Sequence, residues 1–372
     1  MKVRRWVMGT ILIPLLALAL GAGWFLRQPR FGHAPEGETE RAIQASPNQV
    51  NGVFQNQVPT PLFADGQSMG SILLGNLSSK PQRLQPAQAL PSVKLDLRAL
   101  PRDLDVVVWL GHSSFYVQLA GQRILIDPVF SGYASPVSFA NVAFAGSTPY
   151  TAADMPDIDV LLISHDHWDH LDHDSLVALA PRIGQVVTGL GVGSHLLYWG
   201  FDPARVHQGD WGDSFPIFDH LVVHVLPARH YSGRGLERNR TLWASFALVG
   251  PERRLYFSGD SGYGPHFQAI GERFGGFDFV ALDCGQYDPR WPFIHMTPEE
   301  AAQAAADLKA KILLPAHVGR FAMARHAWDE PLKRIVDASQ GRPYHLVTPT
   351  IGSAVQLAHA GTMPTPWWVH QP

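Results

Sequence analysis

The 372-residue chain has a single cysteine, Cys284. One cysteine forms no internal disulfide, and it excludes a structural zinc site that depends on several thiolates. Charge is also sparse, since only 16% of residues are Asp, Glu, Lys or Arg and the formal net charge is -3. This balance argues against a protein that binds nucleic acid mainly by neutralising phosphates. We therefore expect no nucleic-acid partner.

Apolar sequence is plentiful and supports a large folded core. Hydrophobic residues make up 46% of the chain. A core of that size fits one large domain or two closely packed halves. We find no fixed-period repeat and no low-complexity tract, so the chain is expected to be mostly folded.

The amino-terminal 27 residues form a distinct leader. Three basic residues among the first five precede an apolar run over residues 6–26. That run is long enough to span a bilayer, and the preceding positive charges favour a cytoplasmic amino terminus. We predict a signal anchor over residues 1–27, in the inner (plasma) membrane, with the main domain outside the cytoplasm. The small residues of Ala17-Leu18-Ala19 leave open a cleaved signal peptide and a secreted or periplasmic product.

Composition divides the rest of the chain into three parts. Residues 28–104 are rich in Pro, Gln, Asn, Gly and Ser, which predicts a tether and an irregular segment wrapped on the main domain. A folded segment that gates the substrate is the alternative. Residues 105–360 alternate apolar strand-like runs with helical stretches, which is typical of one large α/β domain. Residues 361–372 are predicted to form a C-terminal tail.

The stretch SHDHWDHLD over residues 164–172 indicates a metal site. Residues 158–164 are predicted to form a buried strand and residues 173–180 a short helix, so the stretch lies in a strand-to-helix turn. One ion could hardly use every histidine and aspartate of so tight a loop, and the spacing suits two neighbouring ions. The four candidate ligands are His165, His167, Asp169 and His170.

Several other apolar runs also end in a polar residue able to do chemistry. This many strand ends of the same kind indicate that the strands deliver side chains to a single edge, as in other α/β proteins. The residues concerned are His112, Asp127, His165, His167, His230, Asp260 and His317, and a further run ends near Tyr287.

The order of these residues resembles the metallo-β-lactamase superfamily. Its pattern is an Asp after a strand, the motif HxHxDH, and then a His, an Asp and a His on later loops. All five parts occur here in order, over roughly residues 105–357. The resemblance implies an α/β fold, a four-layer αβ/βα sandwich with metals at one edge between two sheets.

The resemblance also implies how the ligands divide between two ions. Imidazole with carboxylate suits zinc without excluding iron or manganese. Related di-iron reductases have Glu where this chain has His167, which favours two Zn²⁺ per chain. Asp127 would orient a ligand histidine, and its alternative is a turn cap before Pro128. The first ion would be held by His165, His167 and His230, the second by Asp169, His170 and His317, with Asp260 bridging the pair.

Longer stretches narrow the likeness: WLGHSSFYVQ, ILIDPVFS, ISHDHWDHLD, LPARHYSGRG, FSGDSGYGPHF and IHMTPEEA. They are similar to the N-acyl-phosphatidylethanolamine-hydrolysing phospholipase D group and its bacterial relatives. The resemblance implies phosphodiester hydrolysis by a hydroxide that bridges two metal ions, with release of a phosphatidic-acid-like product. The expected substrate is N-acyl-phosphatidylethanolamine or a related phospholipid, which an anchor over residues 6–26 would help to reach.

Further residues are candidates for catalysis or for substrate contact. Asp169 and His295 are expected to be catalytic, since His295 matches a family histidine near the metals that would protonate the leaving oxygen or bind phosphate. The alternative for His295 is simple packing at a helix start. His112 belongs either to the rim of the site or to a structural hydrogen bond. Tyr287 and Arg290 could line a substrate groove, with core packing as the rival role for the aromatic ring.

Other functions are compatible with the same pattern. A lactonase or a small-molecule phosphodiesterase of this fold would use the same ligands. A catalytically idle, metal-containing binding module at the membrane is the third alternative. The full ligand set argues against that module, because an idle descendant would often have lost a ligand.

Overall fold

The computed structural model describes residues 2–78, 83–358 and 366–369. In chain order the helices are Lys2–Leu26 (α1), Gly37–Ala45 (α2), Met69–Ser78 (α3), His173–Leu179 (α4), Gly193–Tyr198 (α5), His266–Phe274 (α6), Pro298–Asp307 (α7) and Glu330–Ala338 (α8). The strands are Gln49–Val50 (β1), Val53–Phe54 (β2), Val106–Trp109 (β3), Phe115–Leu119 (β4), Gln122–Ile126 (β5), Ile158–Ile163 (β6), Ile183–Gly189 (β7), Val206–Gly209 (β8), Ser214–Phe218 (β9), Leu221–Leu226 (β10), Ser245–Val249 (β11), Arg254–Phe257 (β12), Phe279–Asp283 (β13), Ile312–Ala316 (β14), His345–Leu346 (β15) and Ala354–Gln356 (β16). Single turns of 3-10 helix occupy Pro29–Phe31, Ala152–Asp154, Ala180–Arg182 and Pro203–Arg205.

Two seven-stranded sheets dominate the described part of the chain. The first has the order β16-β3-β4-β5-β6-β7-β8, and the second has the order β15-β14-β13-β12-β11-β10-β9. In the first sheet β5 to β8 run parallel, and in the second β12 to β15 do so. Because parallel strands end at one edge of a sheet, the loops after them gather their side chains there.

The two sheets pack face to face and carry helices on their outer faces. Val117 of the first sheet and Phe246 of the second are fully buried in the same apolar core. A second core joins the outer face of the second sheet to α6 and α7, and a third joins the first sheet to α4 and α5. The layers are therefore helix, sheet, sheet and helix, which is the α/β fold class that the resemblance implied.

Local signals position the loops of the site. β6 ends at Ile163 and α4 begins at His173, within one residue of the predicted strand end and helix start. Helix α7 begins after a capping box, in which the Glu300 N–H donates to the Thr297 hydroxyl at 3.3 Å and the Thr297 N–H donates to the Glu300 carboxylate at 2.9 Å. The box fixes the N-cap of α7, Thr297, two residues after His295.

Segment 28–104 packs on the main domain and contains regular elements that composition did not predict. These are α2, the β1–β2 hairpin and α3. The Arg229 side chain donates to Thr60 at 3.0 Å and to the Pro59 carbonyl at 3.1 Å, and the Ala64 N–H donates to the Arg290 carbonyl at 2.8 Å. These contacts hold residues 59–64 against the loops that follow β10 and β13.

The two ends of the chain bear on the remaining predictions. No helix within the described residues is long and apolar enough to cross a membrane, so the signal anchor is not confirmed. Most of the predicted tail over residues 361–372 lies outside the described residues. Of its described part, Trp367 and Trp368 are buried, and the Trp367 ring lies 6.4 Å from that of Trp109.

Candidate metal centre

Six loops at one edge of the two sheets carry the candidate ligands. All of these side chains are buried except His167, which is partly exposed. The sheets thus remove a dense group of imidazoles and carboxylates from solvent. His112 follows β3, Asp127 follows β5, His165, His167, Asp169 and His170 follow β6, His230 follows β10, Asp260 follows β12, and His317 follows β14.

Three imidazoles converge on one point. His165 Nε2 lies 2.9 Å and His230 Nε2 3.3 Å from His167 Nδ1. Burial holds the pKa of His165 and of His230 well below the usual value, so both rings are neutral. His230 Nδ1 lies 2.8 Å from the Ile294 carbonyl and donates to it, which leaves the lone pair on Nε2. Three imidazole nitrogens at these distances, buried together, form a donor set that suits a cation between them.

The Asp260 carboxylate faces two sets of histidines at once. Its Oδ2 lies 3.8 Å from His165 Nε2 and 3.6 Å from His230 Nε2. Its Oδ1 lies 3.1 Å from both His170 Nε2 and His317 Nδ1. Burial alone would raise the pKa of Asp260, but His170 and His317 outweigh it and hold that pKa well below its usual range. One ionised carboxylate therefore joins the two sets.

The second set surrounds Asp169. Its Oδ2 lies 2.8 Å from His112 Nε2, 3.4 Å from His170 Nε2 and 3.9 Å from His317 Nε2. Ligand atoms of these four residues lie within 4.8 Å of one another. His112 is fully buried and bonds to Asp169 on a neighbouring loop, which supports its hydrogen-bonding alternative rather than a place at the rim of the site.

The donor atoms fit a metal. Among the described residues, His170 Nε2, His317 Nε2 and Asp260 Oδ1 are buried without a hydrogen-bond partner. Leaving such atoms unpaired costs about 1–3 kcal/mol each. Imidazole nitrogen and carboxylate oxygen are ligands of zinc and of similar divalent ions, so a cation in each set would compensate that cost.

Asp127 orients one of these histidines. Its Oδ2 accepts from His170 Nδ1 at 2.8 Å and from the Ser164 hydroxyl at 2.6 Å, and its Oδ1 accepts the Ser164 N–H at 2.8 Å. The proton of His170 is thereby held on Nδ1, and Nε2 is left to face Asp260. Carboxylates bound to the far nitrogen of a ligand histidine commonly orient metal sites in this way.

The backbone turns sharply where these side chains leave their strands. Asp127, His112 and His317 have φ values of 43°, 55° and 62°. Residues other than glycine rarely adopt this left-handed region, and such strain is concentrated at functional sites. The turns aim three side chains into the space between the sheets.

The sequence of this site matches a known family. The beta-lactamase superfamily domain matches residues 122–318, which include the loops from Asp127 to His317. The chain belongs to the metallo-β-lactamase superfamily. With both ligand sets in place, this superfamily member is a metal-dependent hydrolase.

Relatives of this superfamily member cover most of its length. It is 37% identical over 360 residues to an uncharacterized protein of Mycobacterium tuberculosis, covering 94% of this chain and 96% of that protein. It is 34% identical over 251 residues to the N-acyl-phosphatidylethanolamine-hydrolyzing phospholipase D 1 of Caenorhabditis elegans, covering 62% of this chain and 70% of that protein. The metallo hydrolase Igni18 of Ignicoccus hospitalis shares the fold, with a TM-score of 0.52 at 20% identity over 68% of this chain and 97% of Igni18.

His295 lies beside both ligand sets of this superfamily member. Its ring stacks on that of His317 at 5.0 Å, and its Nδ1 lies 2.8 Å from Asp283 Oδ2. Burial raises the pKa of Asp283 to about 7. Burial lowers the pKa of His295, but the Asp283 carboxylate outweighs that effect and the net change is upward. The pair therefore holds a proton next to the ligands near neutral pH.

Tyr287 and Arg290 are not brought to the cavity. The Tyr287 hydroxyl donates to Glu330 at 2.8 Å, and its ring stacks on His326 at 4.5 Å. Two nitrogens of the Arg290 guanidinium donate to the Asp288 carboxylate, each at 2.7 Å. Their contacts support the packing role for Tyr287 and a structural ion pair for Arg290.

A cavity of about 360 Å³ opens over the ligands of the superfamily member. One part of its wall is apolar and comes from segment 28–104, through Leu62, Phe63, Met69 and Ile72. Sequence reasoning left open a folded segment here that gates the substrate, but it named none of these four residues, because the segment precedes the HxHxDH motif and its ordered partners. It also missed Arg238 and Asp283, although Asp283 ends a strand like the ligands do, and that position was the available signal.

Proposed function

We propose that this chain is a phosphodiesterase with two zinc ions, and that it hydrolyses N-acyl-phosphatidylethanolamine or a related phospholipid. The observation that carries the proposal is the Asp260 carboxylate, whose two oxygens face separate ligand sets. Paired metals are suited to in-line displacement at phosphorus. The likeness to the nematode phospholipase D supports the choice of substrate.

His165, His167 and His230 would hold the first zinc ion. The second would be held by Asp169, His170 and His317. Bound zinc would supply an activated water and positive charge for the phosphate oxygens. The carboxylates of Asp169 and Asp260 hold the neighbouring imidazoles in place, and Asp127 fixes the tautomer of His170.

His295 would then donate a proton to the leaving group. Its Nδ1 is engaged by Asp283, so Nε2 is the nitrogen available to the cavity. As the phosphorus–oxygen bond of the leaving alcohol breaks, the proton on Nε2 passes to that oxygen. Asp283 stabilises the protonated ring before this transfer, because it lies 2.8 Å from Nδ1.

The apolar part of the wall supports a lipid substrate. Leu62, Phe63, Met69 and Ile72 line the same cavity as His167 and Asp260. Contact with apolar carbon is favourable by about 25 cal/mol per Å² of buried surface, so an acyl or glycerol region would gain affinity there. A small soluble phosphodiester would gain less from this wall.

The proposed function includes a cellular location for the enzyme. We propose that the apolar leader over residues 6–26 keeps the enzyme at the inner membrane with the catalytic domain outside the cytoplasm. Fusing a reporter enzyme after residue 30 tests this. Activity of the reporter in the cytoplasm alone would contradict it, and release of the reporter into the medium would favour a cleaved leader.

A substrate panel tests the reaction. Zinc-loaded protein is incubated in ¹⁸O-water with N-acyl-phosphatidylethanolamine, bis(p-nitrophenyl) phosphate or a lactone, and the products are weighed by mass spectrometry. We expect ¹⁸O in a phosphatidic acid, because water attacks phosphorus. The His295→Gln variant should lower kcat about 10²–10⁴-fold, whereas His345→Gln, at an exposed position, is the matched control.

The other outcomes of the substrate panel each favour one alternative function. Turnover of the lactone alone favours a lactonase, and turnover of the aryl diester alone favours a small-molecule phosphodiesterase. Metal-replete protein that turns over none of the three favours a binding module and contradicts the proposal.

A further inference from the structure

Arg238 stands out among the residues around the cavity because of its charge. It is the only Arg or Lys among the described residues that line the cavity. The same wall carries the carboxylates of Asp169 and Asp260, which belong to the ligand sets. Within the described part of the chain, the cavity therefore presents one permanent side-chain cation to a ligand.

Unlike nearby arginines, Arg238 has no ion pair or hydrogen bond to any residue within the described ranges. Arg229 donates to Thr60 and to two backbone carbonyls, and Arg234 donates to the carbonyls of Arg30 and Asp166. The Arg238 side chain is exposed, and its guanidinium lies 5.8 Å from the centre of the Tyr231 ring. All five of its N–H donors are available to a ligand.

The loop that carries Arg238 is held at its base. The Ser232 N–H donates to the Asn239 side chain at 3.1 Å, and the Asn239 N–H donates to the Ser232 carbonyl at 3.0 Å. The Gly233 N–H donates to Asp166 at 2.7 Å. A Cβ on Gly233 would lie 3.3 Å from Arg238 Cγ, so the missing side chain lets the arginine stem pack there. The arginine is thus placed by a built loop.

Tyr231 connects this cation to the ligands. Its ring lies 4.5 Å from that of His167 and 4.8 Å from that of His230. The Arg238 guanidinium lies over the same ring. One aromatic side chain therefore separates the guanidinium from the first ligand set. A substrate that contacts this set can also reach the guanidinium.

We propose that Arg238 determines substrate charge by binding an anionic oxygen of the substrate at the mouth of the cavity. A guanidinium pairs with phosphate or carboxylate through two parallel hydrogen bonds, and it gains little from a neutral ester. The inference rests on the proposed phosphodiester function for the kind of anion. It replaces Arg290 as the arginine that meets the substrate, since Asp288 engages Arg290.

The test measures binding without turnover. Dibutyl phosphate, an anion, and tributyl phosphate, its neutral counterpart, are titrated by calorimetry into chelator-treated and zinc-loaded protein. In both preparations Arg238→Gln should weaken dibutyl phosphate binding about tenfold and leave tributyl phosphate binding unchanged. Arg238→Lys should lie between the variant and the wild type, because it keeps the charge but loses the paired donors.

Arg273→Gln is the matched control. Arg273 is also exposed and lies 5.2 Å from an aromatic ring, that of Phe274, but it does not line the cavity. The Arg273→Gln substitution removes the same charge and should leave the affinities for dibutyl phosphate and tributyl phosphate unchanged. Equal loss in the two variants, or dibutyl phosphate binding by Arg238→Gln within twofold of the wild type, would overturn the proposal.

Turnover separates this inference from the proposed function. With bis(p-nitrophenyl) phosphate, Arg238→Gln should raise KM about tenfold and change kcat little. If the wild type hydrolyses no phosphodiester but the calorimetric difference persists, the proposed function fails and the role of Arg238 stands. If hydrolysis is seen without any calorimetric difference, the role of Arg238 fails alone.

Discussion

The side chain of Asn56 braces the backbone of His230 from both sides. Its Oδ1 accepts the His230 N–H at 3.0 Å, and its Nδ2 donates to the His230 carbonyl at 2.7 Å. The Trp243 indole donates to the same Oδ1 at 3.1 Å. A residue that precedes the matched family domain over residues 122–318 therefore fixes the backbone of a candidate metal ligand.

Replacing Asn56 with Ala should loosen the first ligand set. Two buried backbone groups lose their partners, so the free energy of unfolding should fall by about 1–3 kcal/mol and zinc affinity by about tenfold. Urea unfolding and competition with a zinc chelator measure the two effects. Gln55→Ala is the control, because the exposed Gln55 side chain bonds, among the described residues, only to the Val53 carbonyl. Unchanged zinc affinity in Asn56→Ala would remove the bracing role.

Asp127→Asn should weaken the second set. The amide can donate as well as accept, so it no longer fixes the proton of His170 on Nδ1. Zinc affinity is expected to drop about 10–100-fold while the fold is retained, as circular dichroism would show. Asp157→Asn, at an exposed site, changes net charge equally and should keep wild-type affinity. A drop in both variants would point to general electrostatics instead.

Loss of the Asp260 carboxylate should affect both ions. Elemental analysis should find about two zinc ions per wild-type chain and one or fewer in Asp260→Ala, because each ligand set loses an oxygen. The exposed Asp337→Ala serves as the control and should retain both. One zinc ion per wild-type chain, with the same zinc content in Asp260→Ala, would contradict the two-metal proposal.

The apolar wall should matter for lipids only. Met69→Ser and Ile72→Ser should raise KM for N-acyl-phosphatidylethanolamine severalfold, since each removes apolar contact from the cavity. KM for bis(p-nitrophenyl) phosphate should stay within twofold. Leu74→Ser on the same helix is the control, because Leu74 is exposed and does not line the cavity. An equal rise for both substrates would indicate a distorted site.

His266 should make the fold acid-sensitive. Burial lowers its pKa to about 3, whereas in the unfolded chain the value is about 6.5. Between these pH values the unfolded state binds more protons, so stability is lost as pH falls. From pH 7 to pH 5 the loss from this residue is about 2 kcal/mol.

Urea unfolding at the two pH values, at constant zinc concentration, measures this difference. His266→Gln should lose about 2 kcal/mol less than the wild type between pH 7 and pH 5. The exposed His345→Gln should behave like the wild type. The same loss in all three proteins would show that His266 is not the source.

The ligands could be anticipated because each carries a local signal. An apolar run predicts a strand, its last residues mark the strand end, and strands that run in the same direction end at one edge of their sheet. His230, Asp260 and His317 therefore lie with the cluster after β6 although the chain separates them widely. The alternation of apolar strands and helices indicated an α/β architecture, whereas the four-layer order was implied by the resemblance to the superfamily.

Contacts that join distant, unpatterned segments were decided only by the tertiary structure. Asn56 and His230 are 174 residues apart, and no periodicity connects them. No sequence pattern predicts that residues 62–72 form part of the cavity wall. Nor does any pattern predict that Arg290 pairs with Asp288, away from the cavity, while Arg238 lines the cavity without an ion pair within the described residues. Strand ends are set by local apolar pattern, whereas these partnerships depend on which surfaces meet after the sheets have packed.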